Sequence, residues 1–188
     1  MARGVLPKSG VLRRARARFA NGGVLAYATE SCFGLGCDPH NVRALKRVLA
    51  LKGRPRHKGL IIVAAEIKQL RHLIKPLSDQ QTAELARYWP GHYTFVLPAV
   101  RSVVPWVSGR HRSIAVRVTA HAGTAALCHA LGSALVSTSA NRSGKKPLGN
   151  VRACRRAFGE SVLTLPGQIG KHRRPSTLID FASGRVLR

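Results

Sequence analysis

Short apolar runs alternate along this chain with stretches of helical period, and turn residues separate them. Gly22-Gly23 divides a basic amphipathic helix from a short strand over residues 24–27, and the loop Thr29-Glu30-Ser31-Cys32-Phe33-Gly34 follows. Asn41 is placed to cap a helix to about Leu51, with Val42, Leu45, Val48 and Leu49 on one face. A buried strand is predicted over 60–64 and a helix near 67–73. Ser78-Asp79-Gln80-Gln81 reads as a capping box for a helix through Tyr88, ended by Trp89-Pro90-Gly91. Strands follow over 93–97 and 114–118, then a helix over 121–131 and a strand over 134–136 that feeds a polar loop. Residues 151–158 read as a helix, and short strands near 162–165, 177–180 and 185–187 complete the pattern. With no linker and no repeat, residues 1–188 read as one α/β domain. Some neighbouring strands lack a crossover helix between them, so the sheet is expected to be mixed.

Charge changes this picture more than length or apolar content does. The 188 residues carry 32 Lys and Arg against 7 Asp and Glu, a formal net charge of +25. No acid precedes Glu30, and none lies between Glu84 and Glu160. Such a field draws polyphosphate, and nucleic acid, RNA or DNA, is its natural partner. Candidate RNA contacts are Arg13, Arg14, Arg16 and Arg18 on the first helix and Arg152, Arg155 and Arg156 near the other end. Cys32, Cys37, Cys128 and Cys154 form no C-x-x-C pair and suit no zinc site. Free thiols imply a reducing cytoplasm. No stretch reaches the roughly 20 apolar residues of a membrane span, and no apolar segment follows the basic residues 13–18 as a secretory signal requires.

Two polar runs carry the candidate chemistry. Ser137-Thr138-Ser139-Ala140-Asn141-Arg142-Ser143-Gly144 follows the apolar residues 134–136 and gathers small hydrogen-bonding groups at one strand end. Ligands of open α/β sheets collect at such ends. Lys52-Gly53-Arg54-Pro55-Arg56-His57-Lys58-Gly59 supplies clustered cations. Together they describe a site for a polyanion. Gly144-Lys145-Lys146 lacks the first glycine of a P-loop, because Ser139 stands in its place, and G-x-G-x-x-G and G-x-S-x-G are missing. The seven acids are too scattered for a paired-carboxylate hydrolase. What remains is positioning and electrostatic stabilisation of phosphate, which needs little covalent help from a protein. Arg117, in an apolar strand with few acids near it in sequence, needs a partner, and a ligand carboxylate is one candidate.

Seven ordered blocks then resemble the YrdC-type threonylcarbamoyl-AMP synthases in their short, single-domain form. They are residues 22–30, 33–38, 51–55 with 58–60, 89–91 with 94–97, 113–117, 137–144 and 175–180. The resemblance implies a twisted mixed sheet around a large, positively charged cavity. It implies joining of L-threonine, bicarbonate and ATP into threonylcarbamoyl-AMP with release of pyrophosphate. A downstream threonylcarbamoyl-transferase then modifies the tRNA adenosine next to the anticodon. Carried over by position, Lys52, Arg54, Arg56, Ser113, Ser139 and Asn141 hold ATP. Thr29, Arg117, Ser137 and Ser176 surround threonine, and Lys58 joins either substrate. No protein metal site is expected; Mg2+ is carried by the ATP phosphates and water. The family usually has Pro where Ala28 stands, and often Thr where Ser31 stands. Ala28 lacks proline's fixed φ, which leaves the approach to Thr29 less constrained. The alternative reading is an RNA-binding or ribosome-maturation protein that performs no chemistry.

Overall fold

The computed structural model describes residues 8–172 and 174–188. Helix α1, Ser9–Ala20, leads into strand β1, Val24–Ala28. Strand β2, Phe33–Gly36, turns back to pair with β1 in antiparallel register. Helix α2, Val42–Lys52, starts at Asn41, whose side chain accepts from the Ala44 amide, and stops at Gly53 in a left-handed conformation. Strand β3, Ile61–Ala64, follows. Helix α3, Asp79–Ala86, opens on the capping box of Ser78 and Gln81, and strand β4, Tyr93–Pro98, comes next. The remaining elements are α4 (Pro105–Ser108), β5 (Ser113–Val118), α5 (Ala122–Leu131), β6 (Leu135–Ser139), α6 (Val151–Phe158), β7 (Val162–Thr164) and β8 (Thr177–Asp180).

The eight strands form one sheet in the order β7-β1-β2-β6-β3-β5-β4-β8. Pairs β1–β7, β3–β5 and β4–β8 are parallel and the rest are antiparallel, so the sheet is mixed, as expected. Strand alternation divides the core between the two faces. Val24, Ala26, Phe33, Leu35, Ile62, Val116 and Val136 join the larger cluster, which includes Leu45 and Val48 of α2. Leu25, Tyr27, Val63 and Leu135 join the smaller one with Ala15 and Phe19 of α1 and Leu127 and Cys128 of α5.

Four local expectations change. Residues 33–36 are a strand rather than loop, despite two glycines, because β1 and β6 pair with it on both sides. A Cβ at Gly36 would lie 2.4 Å from the Val136 carbonyl oxygen, so close strand approach accounts for that glycine. Strand β6 runs on to Ser139, because its hydroxyl residues still pair with β2 and β3. The segment near 67–73 is only a 3-10 turn, Ile67–Leu70, and residues 185–187 make a single bridge, Ile179 to Val186.

Candidate active site

The same alternation that builds the core also builds the site. Phe33, Leu35, Ile62, Val116 and Val136 face the larger cluster, so Gly34, Ile61, Arg117, Ser137 and Ser139 share the opposite face. Helices α1 and α5 pack on that face elsewhere. Here it forms the floor of a cavity of about 530 Å³. Thr29 and Ser31 from the β1–β2 turn line it, with Arg54 after α2 and the loop residues Lys146, Ile169, Arg174 and Ser176. Arg188 lines it as well. Among the described residues the lining includes five Lys or Arg and no Asp or Glu: Arg54, Arg117, Lys146, Arg174 and Arg188.

The turn after β1 is tightly fixed. The Thr29 amide and hydroxyl both donate to the Cys32 carbonyl, at 3.0 and 2.8 Å. Thr29 in turn accepts from the Gly170 amide at 2.9 Å. Ala28 is buried, and its carbonyl accepts from the Thr124 hydroxyl at 2.7 Å. Tertiary bonds thus hold Thr29 where proline's fixed φ would otherwise have helped. Across the floor, a Cβ on Gly34 would sit 3.3 Å from Thr29 Cγ2 and 3.5 Å from Ser137 Oγ. The bare glycine keeps the space between those two hydroxyl residues open.

Arg117 finds its partner inside the protein. Its Nη2 lies 3.0 Å from Glu30 Oε2, and both side chains are buried. Glu30 Oε1 accepts from the Thr119 hydroxyl at 2.6 Å. Burial alone would raise the Glu30 carboxyl, but the Arg117 charge and the Thr119 hydroxyl outweigh it and hold it below the usual carboxylate range. Arg117 Nε is buried without a hydrogen-bond partner among the described residues. One corner of the guanidinium is therefore anchored, while the side chain still lines the cavity.

The two polar runs meet directly. Lys52 Nζ donates to the Ser139 carbonyl, to the Asn141 carbonyl at 3.0 Å and to Asn141 Oδ1 at 3.1 Å. Ser139 Oγ donates to Asn141 Oδ1 at 2.6 Å, and the Ser143 amide donates to the Lys52 carbonyl at 2.7 Å. Burial, reinforced by the Arg54 charge, pushes the Lys52 ammonium down to about 8. Arg54 Nε donates to the Gly59 carbonyl at 3.0 Å. Burial, with Arg188 nearby, lowers Arg54, and burial, with Arg117 nearby, lowers Arg188. Three cations held within each other's field repel, and an anion among them relieves that repulsion.

Of the residues singled out from the sequence, Thr29, Arg54, Arg117, Ser137, Ser139 and Ser176 line the cavity together. Lys52 and Asn141 stand behind Ser139, as its supports. Arg56 lies elsewhere, its guanidinium 4.3 Å from the centroid of the Trp106 ring. Lys58 is exposed in the 3-10 turn Arg56–Lys58, and Ser113 pairs with Pro98 at the start of β5; neither lines the cavity. Lys146, Arg174 and Arg188 were missed in the sequence. They sit in loops or at the chain end, where no periodicity marks them.

The Sua5/YciO/YrdC family model, described as "Telomere recombination", matches residues 17–188. The chain belongs to this family. A threonylcarbamoyl-AMP synthase of Chromobacterium violaceum is 64% identical over 183 residues, covering 97% of this chain and 95% of the relative. One of Laribacter hongkongensis is 58% identical, covering 94% and 95%. Among solved structures, P. abyssi Sua5 complexed with L-threonine superposes with a TM-score of 0.84 at 30% identity. That match covers 94% of this chain but 53% of the Sua5 chain, so this member of the family spans about half of that protein.

Among the described residues no helix is long and apolar enough to cross a membrane. The first-helix arginines divide in two. Arg16 Nε donates to the Ala130 carbonyl, and Arg18 Nη2 donates to the Glu160 and Ser161 carbonyls at 3.0 and 2.9 Å. Both pin α1 to its neighbours and keep their charge, because a carbonyl oxygen is neutral. Arg13, Arg14, Arg16, Arg152, Arg155 and Arg156 are exposed, and Arg18 is half-buried.

Proposed function

We propose that this protein is a threonylcarbamoyl-AMP synthase, joining L-threonine, bicarbonate and ATP with release of pyrophosphate. The observation that carries the reading is the cavity itself. It combines five cationic side chains with Thr29, Ser137, Ser139 and Ser176 on a scaffold whose relatives bear that name. Threonine carbamate and ATP are both anions, and bringing them together requires neutralising both. In-line attack on the α-phosphate then needs orientation and charge stabilisation, which rigid arginines and hydroxyls supply.

Arg117 takes the threonine carboxylate from the cavity wall, while Glu30 fixes one corner of its guanidinium. Thr29, Ser137 and Ser176 surround the amino acid. Arg54 and Ser139 meet the phosphates, and Lys52 adds charge from behind Ser139. Arg174 and Arg188 join this set through their place in the cavity wall. Among the described residues no Asp or Glu lines the cavity, so a magnesium ion would be held by ATP's own phosphates and water.

The deciding test is pyrophosphate release from ATP. Release is expected to require both threonine and bicarbonate. Release that ignores both, or none with any divalent metal, sinks the synthase reading. Contact with structured RNA belongs to the same proposal, carried by Arg13, Arg14, Arg16, Arg18, Arg152, Arg155 and Arg156. Its mark is a steep log–log salt dependence, with a slope of about −0.7 to −0.9 per phosphate neutralised.

A further inference from the structure

Strand β7 lies at one end of the sheet and, among the described residues, pairs only with β1. At the opposite end, β8 is closed by the chain's last residues: the Leu178 amide donates to the Arg188 carbonyl, and the Leu187 amide to the Leu178 carbonyl. No such cover is made for β7 among the described residues. In a parallel ladder, alternate residues bond the neighbouring strand. Leu165 donates to the Ala26 carbonyl at 2.8 Å, so the backbone polar groups of Val162 and Thr164 face the open edge.

A second cavity of about 530 Å³ lies along this edge, on residues 162–166, between Val11 and Arg14 of α1 and Arg155 of α6. Its walls are apolar at Val11, Val162, Leu163 and Leu165. One carboxylate, Glu160, sits beside them. Thr164 is 8% exposed, and its hydroxyl has no partner among the described residues. None of the active-site residues reaches this cavity.

We infer that this cleft holds one unpaired nucleotide of an RNA loop. The apolar walls fit a base removed from its stack, and the unpartnered Thr164 hydroxyl in the cleft lining offers a hydrogen bond to the base edge. Arg14 and Arg155 flank it as phosphate contacts or as planes for stacking. Charge decides the class of occupant. Helices α1 and α6 contain no acidic residue, and the chain carries +25, so a second copy of this chain is repelled and a polyanion is drawn in. The inference rests on the RNA contact proposed above and adds a defined subsite to it.

The test uses the full chain and two fluorescent RNAs of equal length and charge, a blunt duplex and a hairpin with an unpaired loop. The hairpin is expected to bind roughly fivefold tighter or more, fivefold being the low end of what one stacked base contributes. The double variant Arg14→Glu/Arg155→Glu should abolish that preference. The charge-matched control Arg13→Glu/Arg152→Glu, outside the cleft, should weaken both RNAs equally and keep it. Pyrophosphate release should be unchanged in both variants. Equal loss for both RNAs in both variants overturns the cleft while leaving the RNA surface standing. Binding that is flat with salt removes the surface reading, and the inference with it. If a peptide of alternating Val and Glu binds in a manner sensitive to Arg14→Glu/Arg155→Glu and the hairpin shows no preference, the edge takes an added strand, and the nucleotide assignment is overturned.

Discussion

Glu30 Oε2 and Arg117 Nη2 lie 3.0 Å apart, a buried ion pair between the turn after β1 and a strand three places away in the sheet order from β2. The pair orients the one arginine on the cavity floor. Arg117→Lys keeps the charge and loses the planar fork. The threonine KM is expected to rise roughly tenfold or more, from loss of a charge-assisted contact worth about 1.5–3 kcal/mol, with the ATP KM nearly unchanged. A rise in the ATP KM instead would assign Arg117 to the nucleotide. Glu30→Gln should raise the threonine KM too, and lower thermal stability, because an unpaired buried charge costs about 3–5 kcal/mol.

Lys52→Ala and Arg54→Ala should each weaken ATP binding measured by calorimetry, by about 1.5–3 kcal/mol for each lost charge-assisted contact. Arg54 lines the cavity and acts directly; Lys52 holds the Ser139 and Asn141 oxygens and acts partly through them. The double variant should therefore lose no more than the sum of the two single losses. Wild-type affinity in both single variants would place the nucleotide elsewhere.

The pH dependence follows from Lys52. Its ammonium titrates near 8, well below an ordinary lysine, because burial and the Arg54 charge disfavour the charged form. Below that value the site keeps the positive charge; above it the charge is lost. ATP affinity is expected to be level from neutral pH to about 8, then to fall by up to about tenfold per unit. An affinity that stays level to about pH 9.5 would show that the lysine's charge does not contribute.

Gly34 tests the amino-acid end. Its absent side chain leaves room between Thr29 and Ser137, where a Cβ already stands 3.3 and 3.5 Å from their atoms. Gly34→Val suits a strand but fills that space. The variant should fold with unchanged circular dichroism and lose threonine-dependent pyrophosphate release far more than ATP binding. Unimpaired threonine use would move the amino acid away from this floor.

The sequence alone determined the elements whose signals are local. Asn41 and Ser78 mark helix starts because a side chain bonds an amide three residues on, and both caps form. The hydroxyl and cation runs were legible because unusual composition needs no tertiary context to be seen. The tertiary structure decided what those runs do. Strand pairing turned residues 33–36 from loop to strand and carried β6 to Ser139, since ladder bonds come from distant segments. It gave Arg117 to Glu30, which lies 87 positions earlier and is invisible to any local window. It sent Arg56 to Trp106, bonded Arg16 and Arg18 to backbone carbonyls, and brought Arg188 into the cavity wall. A sequence window shows which charges exist, whereas the distances that let them repel, pair or face a ligand exist only once the chain has folded.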